Sequence, residues 1–307
     1  MLYLRSSGGC SVWDPVRDSR TSRIAGKQAF EFTSDELLDG LREGDNVFCD
    51  GLIRDLVNWQ RTRSQAFQQL EKVLQLLSEP GEPLELGEPT RMLPDVRDFP
   101  TLKTGYGAIP FTKCSAGVQR IAGLAYLLVW MWDEHLRACE QRRLAPTRRI
   151  VVLVDEIECH LHPRWQRLVL PALLKAVGEL TNGQVEVQML ISTHAPLVLA
   201  SVEQLFDERR DALFHFESVR QRVMVSKVDW RAQGEADSWL TSEAFGLETP
   251  RSIPAEKAIL KAMNAMKQAP KPEGIRKIHR DLYKVLGDTD PFWPRWRYFA
   301  EKNGMQP

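Results

Sequence analysis

Two kinds of apolar pattern alternate along the chain. Helical spacing runs through Gly51–Leu77, where Leu52, Leu56 and Trp59 are followed by Phe67, Leu70, Leu74 and Leu77, and it predicts one long amphipathic helix. The same period returns over Ser115–Arg142, with Ile121, Leu124, Leu128 and Trp132 on one face. Arg149–Val154 is instead a continuous β-branched run, typical of a strand buried on both faces, and Val185–Ile191 reads as a second buried strand. A helical stretch, Arg164–Glu179, joins them. Strand, helix, strand at this spacing is a βαβ unit, so the predicted class is α/β with a mostly parallel sheet flanked by helices.

The flanks are less regular. Leu2–Arg5 and Cys10–Trp13 around a Ser-Ser-Gly-Gly turn predict a hairpin, and Thr33 with Glu36 has the spacing of a capping box. Ser78–Pro110 holds six prolines and several glycines and is expected to be an irregular connector, either a surface loop or a lid. Ala212–Glu217 and Arg222–Val228 predict two more strands. Asp237–Phe245, Pro254–Lys267 and Gly274–Leu286 predict helices.

Composition narrows the class without naming a function. The 307 residues, 43% of them hydrophobic, suffice for a sizeable core. Lys plus Arg is 41 and Asp plus Glu is 41, so the chain lacks the basic excess of a nucleic-acid coating protein, although a local basic groove stays possible. The five cysteines have no C-x-x-C spacing and are expected to be buried or reduced thiols. The longest apolar run, near Ile121–Trp132, is too short to span a bilayer, and the N-terminus has no apolar signal core. No membrane partner and a cytoplasmic location are therefore expected.

Three stretches carry chemistry. RIVVLVDE (Arg149–Glu156) ends a buried strand in two carboxylates, and in α/β sheets ligands meet the carboxyl ends of strands. Asp155 is placed for Mg²⁺, which favours one or two carboxylates plus phosphate oxygens, and Glu156 for polarising a water. An acidic loop or helix start reads the same way. VQMLISTHAP (Val187–Pro196) ends a second buried strand in Ser192, Thr193 and His194, and the histidine is either structural or a partner for a γ-phosphate or water. KCSAGVQR (Lys113–Arg120) opens a helix with Ser115 and Gly117, which is either an ordinary N-cap or an anion-binding helix start.

In order and spacing these stretches resemble the ABC-like ATPases, in particular the group with the SMC, RecF and OLD proteins and the prokaryotic AAA-family defence ATPases. Ser115-Ala116-Gly117 is similar to the signature motif, Val151–Glu156 to the Walker B strand and His194 to the switch histidine. DEIECHLHPRWQ (Asp155–Gln166) resembles the D-E-x-E-x-x-L-H-P segment of the RecF/OLD-like group. The resemblance implies a P-loop NTPase fold and ATP hydrolysis with Mg²⁺. It implies that Asp155 holds the metal, Glu156 activates water and His194 senses the γ-phosphate. Ser115 and Gly117 would contact ATP on an opposite subunit, in a dimer. The transporter signature has Gln three residues after its Ser; here that position is Val118, so Gln119 receives no role. On this reading, 1–110 is a remnant of an N-terminal lobe with a helical and irregular insertion. Residues 111–230 are the ATPase core, and 231–307 a helical extension.

One element is missing from the sequence. None of the Gly-rich spots at Ser7–Gly9, Gly105–Gly107 and Gly117–Gly123 leads into Lys-Ser or Lys-Thr, so no G-x-x-x-x-G-K-[ST] loop is present. The expectation is a C-terminal portion lacking its Walker A loop. Three explanations stay open: a start at an internal Met, a P-loop-bearing partner subunit, or a non-hydrolytic dimerisation and partner-binding scaffold. Without that lobe the sheet is expected to keep an uncovered apolar edge. Three further features have a bland and a functional reading. His160-x-His162 is a metal spacing or part of the loop after the carboxylates. Arg137–Arg149 is a solvated helix end or a DNA contact. The aromatics of Pro291–Phe299 pack inward or stack on bases.

Overall fold

The computed structural model describes residues 1–18, 29–105, 107–268 and 271–304; position 106, within the glycine-rich spot at 105–107, lies outside them. The strands are β1 (Leu2–Leu4), β2 (Cys10–Val12), β3 (Phe30–Phe32), β4 (Leu41–Glu43), β5 (Asn46–Cys49), β6 (Glu85–Arg91), β7 (Asp98–Thr104), β8 (Gly107–Pro110), β9 (Arg149–Val154), β10 (Glu186–Ile191), β11 (Leu213–Val219) and β12 (Arg222–Val228). The helices are α1 (Pro15–Asp18), α2 (Ser34–Asp39), α3 (Leu52–Thr62), α4 (Gln65–Leu77), α5 (Ala116–Arg142), α6 (Pro163–Gln166), α7 (Val169–Leu180), α8 (Pro196–Ser201), α9 (Ala236–Leu240), α10 (Ile253–Gln268), α11 (Pro272–Tyr283) and α12 (Phe292–Lys302). They form two compact units, residues 1–213 with 229–236 and residues 214–228 with 237–307.

The first unit is built on a five-stranded sheet in the order β10-β9-β1-β2-β3. β9 runs parallel to both neighbours, with Val154 opposite Ile191 on one side and Leu4 on the other. The α/β reading therefore holds, and three strand ends are brought level. β2 and β3 complete the sheet by antiparallel pairing. Leu2, Leu4, Val152 and Val154 are buried beneath α5 and α7. α5 is apolar nearly all round, with Ile121, Ala125, Tyr126, Leu128 and Val129 buried, as befits a helix packed inside a domain rather than on its surface.

Two sequence expectations need correction. Gly51–Leu77 is not one helix: α3 ends at Arg63, which is left-handed (φ 47°), and Ser64 then caps α4 by accepting the Phe67 amide. Both helices keep the expected faces, so periodicity alone could not reveal the break. Nor is Ser78–Pro110 irregular, because β6, β7 and β8 form a three-stranded antiparallel sheet. Its prolines fit because the ladder slips between Gly87 and Thr90, where Pro89 lies opposite Pro100, and Pro110 is the last residue of β8. Proline is tolerated at such bulges and strand ends, where no ladder donor is required.

The uncovered edge is β10. Among the described residues it pairs only with β9, and Leu190 is 48% exposed. Two polar networks tie the core together. His135 Nδ1 lies 3.1 Å from Asp14 Oδ2 while its Nε2 accepts the Thr147 amide, so both groups of this buried pair are satisfied. Tyr126 donates its hydroxyl to Asp55 at 2.8 Å.

The second unit has its own core. Ile259 and Ala262 of α10, Ile275, Ile278 and Leu282 of α11, and Phe292, Trp293 and Trp296 of α12 are all buried. The aromatics of Pro291–Phe299 thus face inward, except Tyr298. No helix among the described residues is long and apolar enough to cross a membrane.

Two outcomes follow for stability. Burial, helped by Asp50, Glu134 and Asp133 and opposed by the Tyr126 hydroxyl, pushes the Asp55 carboxyl up from 3.8 to about 7. The folded chain keeps this proton between those pH values while the unfolded chain loses it, so stability falls as pH rises from about 4 to about 7. Asp55→Asn should abolish that decline. In urea melts the variant should match the parent near pH 4 and exceed it by about 2–4 kcal/mol at pH 8. At the open edge, Leu190→Lys should lower concentration-dependent light scattering; unchanged scattering would mean that β10 does not drive self-association.

Candidate functional site

The level ends of β1, β9 and β10 bring Ser6, Asp155, Glu156 and Ser192 together. The Asp155 amide donates to the Leu4 carbonyl at 2.9 Å. Its carboxylate accepts the Ser192 hydroxyl at 2.8 Å and the Ser6 hydroxyl at 3.3 Å. The Ser192 oxygen in turn accepts the Glu156 amide at 2.8 Å. One hydroxyl thus ties both acidic positions of β9 to the end of β10. Glu156 has φ 45°, a left-handed conformation that costs a non-glycine residue of order 1–3 kcal/mol. Its half-buried carboxylate makes no hydrogen bond or ion pair among the described residues.

A second carboxylate organises the turn after β10. Glu158 accepts the Thr193 hydroxyl at 2.7 Å on one oxygen and the His194 amide at 2.5 Å on the other. Charge-assisted bonds of this kind are the stronger ones. His194 follows with an exposed ring that has no partner among the described residues. Ala195 then closes the turn by donating its amide to Thr193 Oγ1, and Pro196 starts α8.

The start of α5 stands beside this edge. Ser115 is the exposed N-cap, accepting the Val118 amide at 3.4 Å. Gly117 is buried, and a Cβ there would lie 3.0 Å from the His160 carbonyl oxygen and 3.2 Å from the Trp165 ring. Its lack of a side chain thus admits the segment that follows Glu156. Gln119 donates to the Cys114 carbonyl at 2.9 Å, one turn back. Arg120 donates to the Arg5 carbonyl at 2.9 Å. Burial lowers its pKa, while Cys159 and Asp155 oppose that shift. A half-buried cation therefore lies within electrostatic reach of the Asp155 carboxylate.

The remaining candidates are placed more blandly. His162 caps α6 by accepting the Arg164 amide on Nδ1, and His160 is exposed with φ 64°. Among the described residues no group of three or more His, Cys, Asp or Glu side chains is arranged to hold a metal by itself. In the basic stretch Arg137 pairs with Asp133 at 2.7 Å and Arg149 with Glu186 at 2.9 Å.

Asp155, Glu156 and His194 thus share one edge through Ser192 and Glu158, whereas Ser115 faces outward and Gly117 inward. Sequence reasoning passed over Ser6, Glu158 and Arg120. Glu158 was visible as the third acid of D-E-x-E, but its partners lie 35 and 36 residues away. Glu158→Ala should speed hydrogen exchange at the His194 amide at least tenfold and cost about 1.5–3 kcal/mol. Parental exchange in the variant would show that the clamp does not hold this turn.

Known proteins resemble the chain in this region. Residues 58–200 match the family AAA_21, described as "AAA domain, putative AbiEii toxin, Type IV TA system". "Retron Vc95 probable ATPase" of Vibrio cholerae serotype O1 biovar El Tor is 44% identical over 52 residues, 17% of this chain and 9% of the relative. "Septu protein PtuA" of Bacillus mycoides (strain KBAB4) is 33% identical over 97 residues, 32% of this chain and 12% of the relative. The chain thus spans only about a tenth of the length of these relatives. Among solved structures, the SMC head domain from Thermotoga maritima is 13% identical, with a TM-score of 0.32 over 72% of this chain and 73% of that one. Through the segment that holds Asp155, Glu156 and His194, the chain is similar to the AAA/ABC-like ATPases.

Proposed function

We propose that this chain supplies the hydrolytic half of an ATP site. The observation that carries the reading is the Ser192 hydroxyl, which joins the Asp155 carboxylate to the Glu156 amide and sets two acids and His194 along one edge of the sheet. Asp155 is the residue to hold Mg²⁺. A lone carboxylate flanked by the Ser6 and Ser192 hydroxyls suits an ion that takes few protein ligands and fills its shell with water and phosphate oxygens. When bound, Mg²⁺ neutralises charge on the phosphates.

Glu156 orients the attacking water and takes its proton. That its carboxylate has no partner among the described residues favours that role, since a carboxylate locked in an ion pair would be a poor base. The His194 ring meets the γ-phosphate, with its backbone held by Glu158. Ser115 presents the start of α5, with Gly117 behind it, to ATP bound on an opposite subunit, which makes the working form a dimer. No G-x-x-x-x-G-K-[ST] stretch occurs in these 307 residues, so a segment outside them, linked or in trans, provides the phosphate cradle. The open edge of β10 supports such an added strand. From its relatives we place the activity in a prokaryotic defence or toxin system.

The test compares the chain alone with the chain joined to, or mixed with, polypeptide carrying that loop. Alone it should show no ATP affinity; completed, it should hydrolyse ATP. Glu156→Gln should then lower kcat by about 10²–10⁴-fold while ATP still binds. Hydrolysis that survives this substitution removes Glu156 from the reaction.

A further inference from the structure

The charge of the chain is zero overall but unevenly placed. From Ile253 to Lys302 eleven lysines and arginines face six aspartates and glutamates. The excess is concentrated on α11. Its apolar side, Ile275, Ile278 and Leu282, is buried against α10 and α12. On the other side Arg276, Lys277, Arg280 and Lys284 are all exposed, and at 3.6 residues per turn they fall within about 100° of arc. Glu273 shares that arc in the first turn, where the helix dipole favours a carboxylate. Asp281, at the border, is held by the Lys261 ammonium of α10 at 2.7 Å. Among the described residues none of the four cations makes an ion pair.

Tyr283 closes the row on its other flank. It is 66% exposed, an unusual position for a large ring, yet it is braced. Its ring centre lies 6.3 Å from that of Trp293, a buried indole whose Nε1 donates to the Gly287 carbonyl at 2.7 Å. The Arg297 guanidinium lies 5.6 Å over the same indole, so α12 adds a fifth cation to this aromatic cluster. An exposed ring beside a row of cations can stack on a base while the cations neutralise phosphates.

We propose that this face of α11, with Tyr283 and Arg297, binds single-stranded nucleic acid through its backbone and one stacked base. From Arg276 to Lys284 the helix advances about 12 Å, long enough for the row to meet several consecutive phosphates of one strand. The cation row alone would equally suit an acidic polypeptide; the braced, exposed ring favours a partner with flat bases. The sequence-level candidates for such a contact were Arg137–Arg149 and the aromatic tail. The first is partly paired with carboxylates and the second is largely core. The inference is independent of the ATP reading, and its test contains no nucleotide.

The experiment measures fluorescence anisotropy of the full chain with a labelled mixed-sequence single strand of about 30 nucleotides and with its duplex, between about 25 and 200 mM KCl. The single strand should bind with log K falling against log salt at a slope of about −3. Arg276→Gln with Arg280→Gln should weaken binding at least tenfold and flatten the slope by between about 1 and 2, while Arg→Lys at both sites keeps binding. Tyr283→Ala should weaken the single strand by about 5- to 150-fold and the duplex by less than about twofold. These side chains are exposed, and unchanged Trp293 and Trp296 fluorescence will show that the core is intact. No binding at the lowest salt, or a slope indifferent to the glutamines, overturns the proposal. Competition by polyglutamate as effective as by unlabelled strand overturns it in favour of an acidic protein. Parental binding by Tyr283→Ala removes the stacked base.

Discussion

The register of β9 between its two parallel neighbours is the constraint on which the rest depends. Val154, Leu4 and Ile191 stand in one row, so each strand releases its chain at the same edge. The buried face of these strands, Leu2, Leu4, Val152 and Val154, shares one apolar core with α5 and α7. A one-residue slip of β10 would turn its side chains over and carry Ser192 away from Asp155. The chemistry at the edge is therefore only as well placed as the packing beneath it.

Cross-links of two kinds then refine what the register places. Ser192 spans from β10 to β9 with a hydroxyl that both donates and accepts, and Glu158 spans back with a carboxylate that accepts twice. These are short polar bridges between turns, and they act beyond the last ladder bond. They hold the backbone of His194 while leaving its ring, and the carboxylate of Glu156, without partners among the described residues. An edge that is rigid in its main chain and free in its side chains is preorganised for a ligand.

Much of this was legible in the sequence, and the illegible parts share a cause. β9 and α5 declare themselves because burial leaves long apolar runs, and Asp155 and Glu156 stand at the end of one of them; β10 is read as a buried strand, but Glu186, Gln188 and Leu190 leave one of its faces exposed. The break between α3 and α4 hides because Arg63 carries no sign of the left-handed turn it makes, and Ser64 looks like any surface serine. β6–β8 hide because proline counts against a strand until a slipped ladder is known to spare it. Glu158 and Ser6 hide because each is defined by a partner distant in the chain. Gly117 is the instructive case: its need for a bare Cα is plain in the sequence, but that the His160 carbonyl and the Trp165 ring occupy the space is a property of the fold alone.

The backbone at Glu156 has a consequence for how this chain can change. A left-handed residue that is neither glycine nor asparagine stores strain, and glycine there would release roughly 1 kcal/mol. The substitution that relaxes the turn also deletes the unpaired carboxylate. Selection for thermal robustness alone would thus push position 156 toward glycine, and only a demand on chemistry would hold glutamate in place. On the proposed reading, relatives that have kept the fold but given up ATP hydrolysis should betray themselves at that single residue.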